Sequence, residues 1–225
     1  VSLSVTEALN QRISTRAYLD KPVEEATLRS VLDAARRSPS GGNLQPWKVI
    51  AVSGEAKNAL TALAKTALAA NPLGEETDRP VYPPKLWEPY RTRRFETGEA
   101  LYKEIGIPRE DKEARINHVL RNFEFFGAPA ALFFIIEEKM GHGQWAHLGM
   151  FMMSIALLLE ERGLASCFQE AWGMLRPSLH AHFGLPDTDM VYCGMAIGYA
   201  DPDAPINRVR TSREPVDGFT QFRGF

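Results

Sequence analysis

Apolar positions recur at helical spacing from the first residues of the chain. Ser4 followed by Glu7 has the form of a capping box, and Val5, Ala8 and Leu9 then share one face, which predicts a short helix ending near Arg12. A second helix is predicted after Pro22, where Leu28, Val31, Leu32 and Ala35 repeat the spacing. It should stop before Pro39, because the residue ahead of a proline avoids the α region. Ser40-Gly41-Gly42-Asn43 is a loop by composition, Lys48 to Val52 reads as a strand, and Leu60, Leu63, Ala64, Ala67 and Leu68 mark a third helix.

Between residues 71 and 90, Pro72, Pro80, Pro83, Pro84 and Pro89 exclude a continuous helix or a central strand, so a long surface connection is expected. Residues 91 to 125 mix charges of both signs with Tyr102, Ile105, Val119, Leu120 and Phe123, a pattern that predicts two amphipathic helices forming a cap. Ala130 to Ile136 is an apolar run suited to a buried strand. Gln144 to Arg162, apolar nearly all round, predicts a central helix stopped by Gly163. Leu164 to Phe168 and Met190 to Tyr199 read as strands on either side of a short helix closed by Gly184 and Pro186. The tail from Ala200 is polar and irregular but carries Phe219, Phe222 and Phe225, so it should pack onto something, such as a neighbouring subunit. Loosely alternating helices and strands argue a mixed α and β layer fold in one domain over residues 1–225, with a helical cap insertion at about 71–125.

Composition narrows the function. The 225 residues carry 26 Lys and Arg against 28 Asp and Glu, so no net field draws the molecule to nucleic acid or an anionic membrane. The longest nearly apolar run, Leu148 to Leu159, falls short of the roughly 17 to 25 residues that span a bilayer. Cys167 and Cys193 sit in apolar runs as buried thiols, and Val1 to Thr6 lacks a leader pattern. The expectation is a cytoplasmic protein without membrane or nucleic-acid partners.

Several familiar chemistries fail on spacing. Gly141-His142-Gly143-Gln144-Trp145-Ala146 spells a dinucleotide fingerprint, but Glu137, Glu138 and Lys139 lengthen the turn before it and would repel a pyrophosphate. His180 and His182 are two apart and point in different directions on a helix, so no metal site is expected, and His147 reads as a core histidine. What remains is cationic and local. Arg12 and Arg16 flank Ser14, while Arg208, Arg210 and Arg213 crowd the tail, and together they could hold a phosphate through charge-assisted forks. Ser40 to Trp47 offers small residues, a hydroxyl, amides and a large aromatic, groups that suit a flavin ring.

The ordered set of these blocks resembles the FMN-dependent nitroreductase family. The blocks are Arg12-Ile13-Ser14-Thr15-Arg16, Ser38 to Trp47, Gly163-Leu164 leading to Cys167-Phe168-Gln169-Glu170-Ala171-Trp172, and Gly198-Tyr199 before the arginine-rich stretch. The proline-rich connection looks most like the nitrobenzoate-reductase-like branch. The resemblance implies an α+β, nitroreductase-like fold with a central mixed sheet flanked by helices, in a homodimer with an interface-swapped C-terminal tail and FMN at the interface. It implies that Arg12, Ser14 and Arg16 contact the FMN phosphate, ribityl chain and pyrimidine edge. Pro39, Ser40, Gly41 and Asn43 would reach the flavin from the partner, Glu170 and Ala171 would present backbone amides to it, and Arg213 with Arg210 or Arg208 would bind the phosphate. NADH or NADPH would supply hydride, and a nitroaromatic, quinone or similar small molecule would accept electrons at the same site, giving ping-pong kinetics without a catalytic side chain. Reductive dehalogenation, flavin breakdown and flavin binding without turnover are the alternatives. His147 and Phe168 depart from the family pattern and bear on substrate choice.

Overall fold

The computed structural model describes residues 3–75 and 79–225. Its spine is β2 (Ala130–Glu137), the apolar run of the sequence, which is buried along nearly its whole length. Successive strand side chains point to opposite faces, so Leu132, Phe134 and Ile136 enter one core while Ala131, Phe133 and Ile135 enter another. Helices therefore cover both sides of the sheet. β2 pairs with β1 (Lys48–Ser53) and with β4 (Asp189–Gly198), and β4 pairs with β3 (Ala165–Gln169), giving the order β1-β2-β4-β3.

All three pairings are antiparallel, which corrects the expectation of a mixed sheet while leaving the α+β fold intact. The four described strands supply no parallel pair, so a parallel neighbour would have to come from outside them, onto the free edge of β1 or β3. The register also shifts between Phe134 and Ile135. These residues pair with Cys193 and Val191, which leaves Tyr192 as the extra residue of a bulge. Cys193, Met195 and Ile197 consequently join the same core as Met190, which strict alternation would not allow.

The first core is built by α2 (Glu25–Ala35) and α6 (His142–Glu161). Leu28, Val31 and Ala35 of α2 meet Leu148, Phe151, Ile155 and Leu159 of α6, and Trp47 stacks on Phe151 with centroids 4.6 Å apart. The second core packs α3 (Gly54–Ala70), through Leu60 and Ala64, beside an aromatic cluster around Trp172. Phe123, Phe125 and Phe133 lie 5.1, 4.9 and 5.3 Å from Trp172, and a Cβ on Gly194 would come within 2.6 Å of its ring. The glycine thus permits the closest approach of β4 to the indole.

The N-terminal helix α1 (Val5–Gln11) begins on the predicted capping box, with both reciprocal hydrogen bonds formed. The 71–90 connection is largely exposed, and residues 76–78 within it lie outside the described residues. The cap region holds α4 (Tyr90–Glu104) and α5 (Lys112–Leu120), joined by an Arg115–Glu99 ion pair at 2.6 Å and by Arg115 over Tyr102. Amphipathic pattern and burial part company here, since α4 buries no residue and α5 buries only His118. The cap ends in a turn, Arg121–Gly127, where Phe125 and Phe126 have φ of 53° and 54°. Such left-handed aromatic residues cost about 1 to 3 kcal/mol each, an expense that burial of both rings offsets.

After β3, a tight turn (Glu170–Leu175) leads into α7 (Arg176–Phe183), closed by left-handed Gly184 as predicted. A turn at Pro205–Arg208 and the short α8 (Val216–Phe219) follow β4. Among the described residues no helix is long and apolar enough to cross a membrane.

Candidate functional site

The segment after α1 runs along the outer edge of β3. The Thr15 N–H donates to the Ser166 carbonyl at 3.1 Å, and the chain then meets the end of β4 through Leu19 N–H to Tyr199 O. This threading leaves Arg12, Ser14 and Arg16 half-buried around the buried Cys167 thiol. Burial raises that thiol's pKa, while Arg16, Ser14 and Arg12 oppose the rise. All three residues of the N-terminal block thus converge on one strand.

Asn207 locks them there, although the sequence did not single it out. Its Oδ1 accepts from Arg16 N–H at 2.9 Å, and its Nδ2 donates to Ala17 O and Asp201 O at 2.8 and 2.9 Å. The residue is 8% exposed, so its amide is committed to these three backbone groups. Its own carbonyl accepts from Arg210 Nη1 at 2.9 Å, tying the tail cation to the same knot. Position alone carried a faint signal: an asparagine just before the arginine-rich stretch.

The tail arginines separate once partners are compared. Arg208 pairs with Glu104 at 3.4 Å, Arg210 leans on Asn207, and Arg213 donates to Thr211 and Ser212 beside it. Arg12, Arg16, Arg210 and Arg213 form no ion pair among the described residues. Arg210 rather than Arg208 is therefore the tail cation attached to the N-terminal block, and the contacts of Arg213 stay within its own stretch of the tail.

At the end of β3, Gln169 is 1% exposed, and its Nε2 donates to Asn122 O at 2.7 Å while its Oε1 has no partner. Glu170 and Ala171 open the following turn. Surrounding chain raises the Glu170 carboxyl pKa, and Arg176 opposes it. Phe126 brings its ring to 5.9 Å from the Arg16 guanidinium, closing this end of the groove.

Pro39, Ser40, Gly41 and Asn43 lie elsewhere. Gly41 N–H donates to His147 Nδ1 at 3.3 Å, whereas Arg12 acts on Glu160 of the same helix α6. Thirteen residues separate His147 from Glu160, about 20 Å along the helix axis, so one chain does not close the loop over the arginine block. His147 is half-buried and accepts from the loop at Nδ1, which also lies 3.2 Å from Gln144 Oε1, and this corrects its reading as a core histidine. The reason is helical phase: Leu148 and Phe151 turn inward and leave His147 at the helix margin.

The groove along β3 fits FMN on its own chemistry. Half-buried cations without counter-ions suit a phosphate, the orphaned Gln169 acceptor suits a ring N–H, and the Glu170–Ala171 turn lies beside them. Known proteins are similar to nearly the whole chain. The chain is 36% identical to nitrobenzene nitroreductase of Ectopseudomonas oleovorans over 222 residues, covering 97% of this chain and 96% of the relative. It is 35% identical to 4-nitrobenzoate reductase of Pseudomonas putida, covering 95% and 93%. The crystal structure of an FMN and NADPH-dependent nitroreductase NfnB from Sphigopyxis sp. strain HMH superposes with a TM-score of 0.96 at 43% identity, covering 99% of this chain and all of the other. Residues 9–199 match the nitroreductase family as a whole, and with that match and these relatives the chain belongs to the nitroreductase family.

Proposed function

We propose that this protein is an NAD(P)H-dependent FMN enzyme that reduces nitroaromatic compounds, quinones or similar electron-poor small molecules. The observation that carries this reading is the set of half-buried, unpaired arginines along β3 beside an orphaned buried acceptor. When bound, FMN supplies two-electron chemistry between the nicotinamide donor and the acceptor.

The chain's own residues hold and orient. Arg12, Ser14 and Arg16 bind the phosphate, ribityl chain and pyrimidine edge, with Arg210 and Arg213 completing the phosphate contacts. Asn207 fixes the backbone from which Arg16 extends, so that guanidinium is preorganised to stabilise negative charge at the ring edge. Phe126 and the aromatic cluster behind it exclude water from that side. Glu170 and Ala171 present backbone amides, and no side chain is required as nucleophile or general base.

The working unit is a homodimer. Pro39, Ser40, Gly41 and Asn43, about 20 Å along α6 from the arginine block, serve the partner's site in this reading. Phe219, Phe222 and Phe225, exposed at 70%, 63% and 105%, supply the tail's apolar contacts with the second chain. Residues 71–125 form the cap that shapes access within a single domain. Two buried free thiols suit a cytoplasmic location.

The test is the visible spectrum of the purified protein, followed by anaerobic addition of NADH and then NADPH. Flavin absorbance that bleaches with either donor and returns with nitrobenzene is expected. Protein that stays colourless after FMN addition, or a flavin that neither donor bleaches, rejects the assignment.

A further inference from the structure

A cavity of about 940 Å³ lies between the cap and the start of the tail, with Ala17, the residue after the arginine block, on its wall. Ile105 and Ile107, from the end of α4 and the loop after it, face Pro205 and Ile206 of the tail turn, and His118 and Arg121 close the wall between them. The volume and the mainly apolar lining with few polar groups are those of small-molecule sites.

Two of its polar groups lack partners. His118 is 9% exposed, yet its ring makes no hydrogen bond among the described residues, and the rings of Tyr102 and Phe126 lie 5.9 and 6.2 Å from it. Arg121 is half-buried, and its side chain has neither an ion pair nor a hydrogen bond among the described residues. Glu104 is also on the wall but is drawn to Arg208 at 3.4 Å. A donor open to the cavity and left unbonded, and a cation without a counter-ion, both gain from an anionic acceptor. Burial, Arg121 and Arg16 hold the imidazole pKa down at about 4, so at neutral pH it carries one N–H to donate.

We propose that this cavity is a second ligand site, for an aromatic monocarboxylate. Arg121 takes the carboxylate, His118 donates to one of its oxygens, and Ile105, Ile107, Pro205 and Ile206 cover the ring. A bare phosphate would leave the apolar walls unfilled, and a dianion would meet Glu104. The site does not depend on which acceptor the enzyme reduces.

Calorimetric titration of the FMN-loaded protein with benzoate tests the proposal, with the flavin spectrum recorded in parallel. Saturable binding of one benzoate per chain is expected, with the spectrum unchanged and benzyl alcohol at least tenfold weaker. Arg121→Met should weaken benzoate at least tenfold, Arg121→Lys should restore part of the loss, and Ala114→Trp should fill the cavity and abolish binding. No saturable binding, equal affinity for benzyl alcohol, or wild-type affinity in Arg121→Met overturns it. So does benzoate that perturbs the flavin spectrum and competes with nitrobenzene, which places the carboxylate in the β3 groove. The benzoate and benzyl alcohol comparison is made on the wild-type protein, so the test stands even if a variant fails to fold.

Discussion

The β3 edge and the cap are both rich in arginine, but they use it differently. Along β3, neither Arg12 nor Arg16 forms an ion pair among the described residues, and Asn207 fixes the backbone at Arg16 through a buried amide whose side-chain groups are fully committed. In the cap, Arg91 pairs with Glu88, Arg115 with Glu99 and Arg93 with Glu214, while α4 buries nothing within the chain. Paired arginines hold helices together, whereas unpaired ones fixed in place keep their charge for a ligand. Local charge density therefore says little about binding until the counter-ions are placed.

The sharpest way to break this contrast is Asn207→Leu. It strands Arg16 N–H, Ala17 O and Asp201 O in a buried setting, and a loss of about 4 kcal/mol in unfolding free energy is expected from urea titration. FMN affinity should fall with it. If stability is kept, Asn207 is not what positions the block.

The next effect depends on pH and on the boundary between the two regions. His118 has a folded pKa of about 4, below the ordinary value of 6.5, so between those values the unfolded chain binds the proton and the native protein does not. Its contribution is complete above about pH 6.5 and is lost as the pH falls towards 4, an expected decline of about 3 kcal/mol. Unfolding measured at pH 7 and pH 4.5 checks it, and His118→Phe should flatten the slope over that interval.

The smallest effect separates the tail arginines. Arg213→Ala and Arg210→Ala should each weaken FMN binding by about 1.5 to 3 kcal/mol, the usual value of a charged hydrogen bond, while Arg208→Ala, which loses an ion pair to Glu104, should barely change it. Fluorescence titration of apoprotein with FMN measures all three. Equal losses in Arg208→Ala and Arg210→Ala would erase the distinction drawn from their partners.

What the sequence disclosed was whatever depends on near neighbours. The Ser4–Glu7 capping box, the 130–136 strand and the Gly184 stop are local patterns, and each forms as read. The arginine block stood out as a local pattern, but its meeting with β3 did not, because Thr15 and its partner Ser166 are far apart in the chain. Gln169 was visible as a residue but its task was not, because its partner Asn122 lies 47 positions away. The left-handed pair Phe125–Phe126 had no signal either, since aromatic residues avoid that region and only burial holds them there. The amphipathic pattern over 91–125 also overstated burial, since α4 buries no residue and its Tyr90 and Phe95 are each 49% exposed.

The extra residue at Tyr192 means that β4 has one position to spare. Without it, Met190, Val191 and Cys193 would alternate strictly, and Met190, Cys193, Met195 and Ile197 would stay on one face, in the core they already share. A loss elsewhere in the strand has no such slack: with the bulge kept, the residues beyond the gap would turn to the opposite face although no side chain had been replaced. Chimeras of this protein should therefore be cut outside Asp189–Gly198, or shortened within it only at Tyr192.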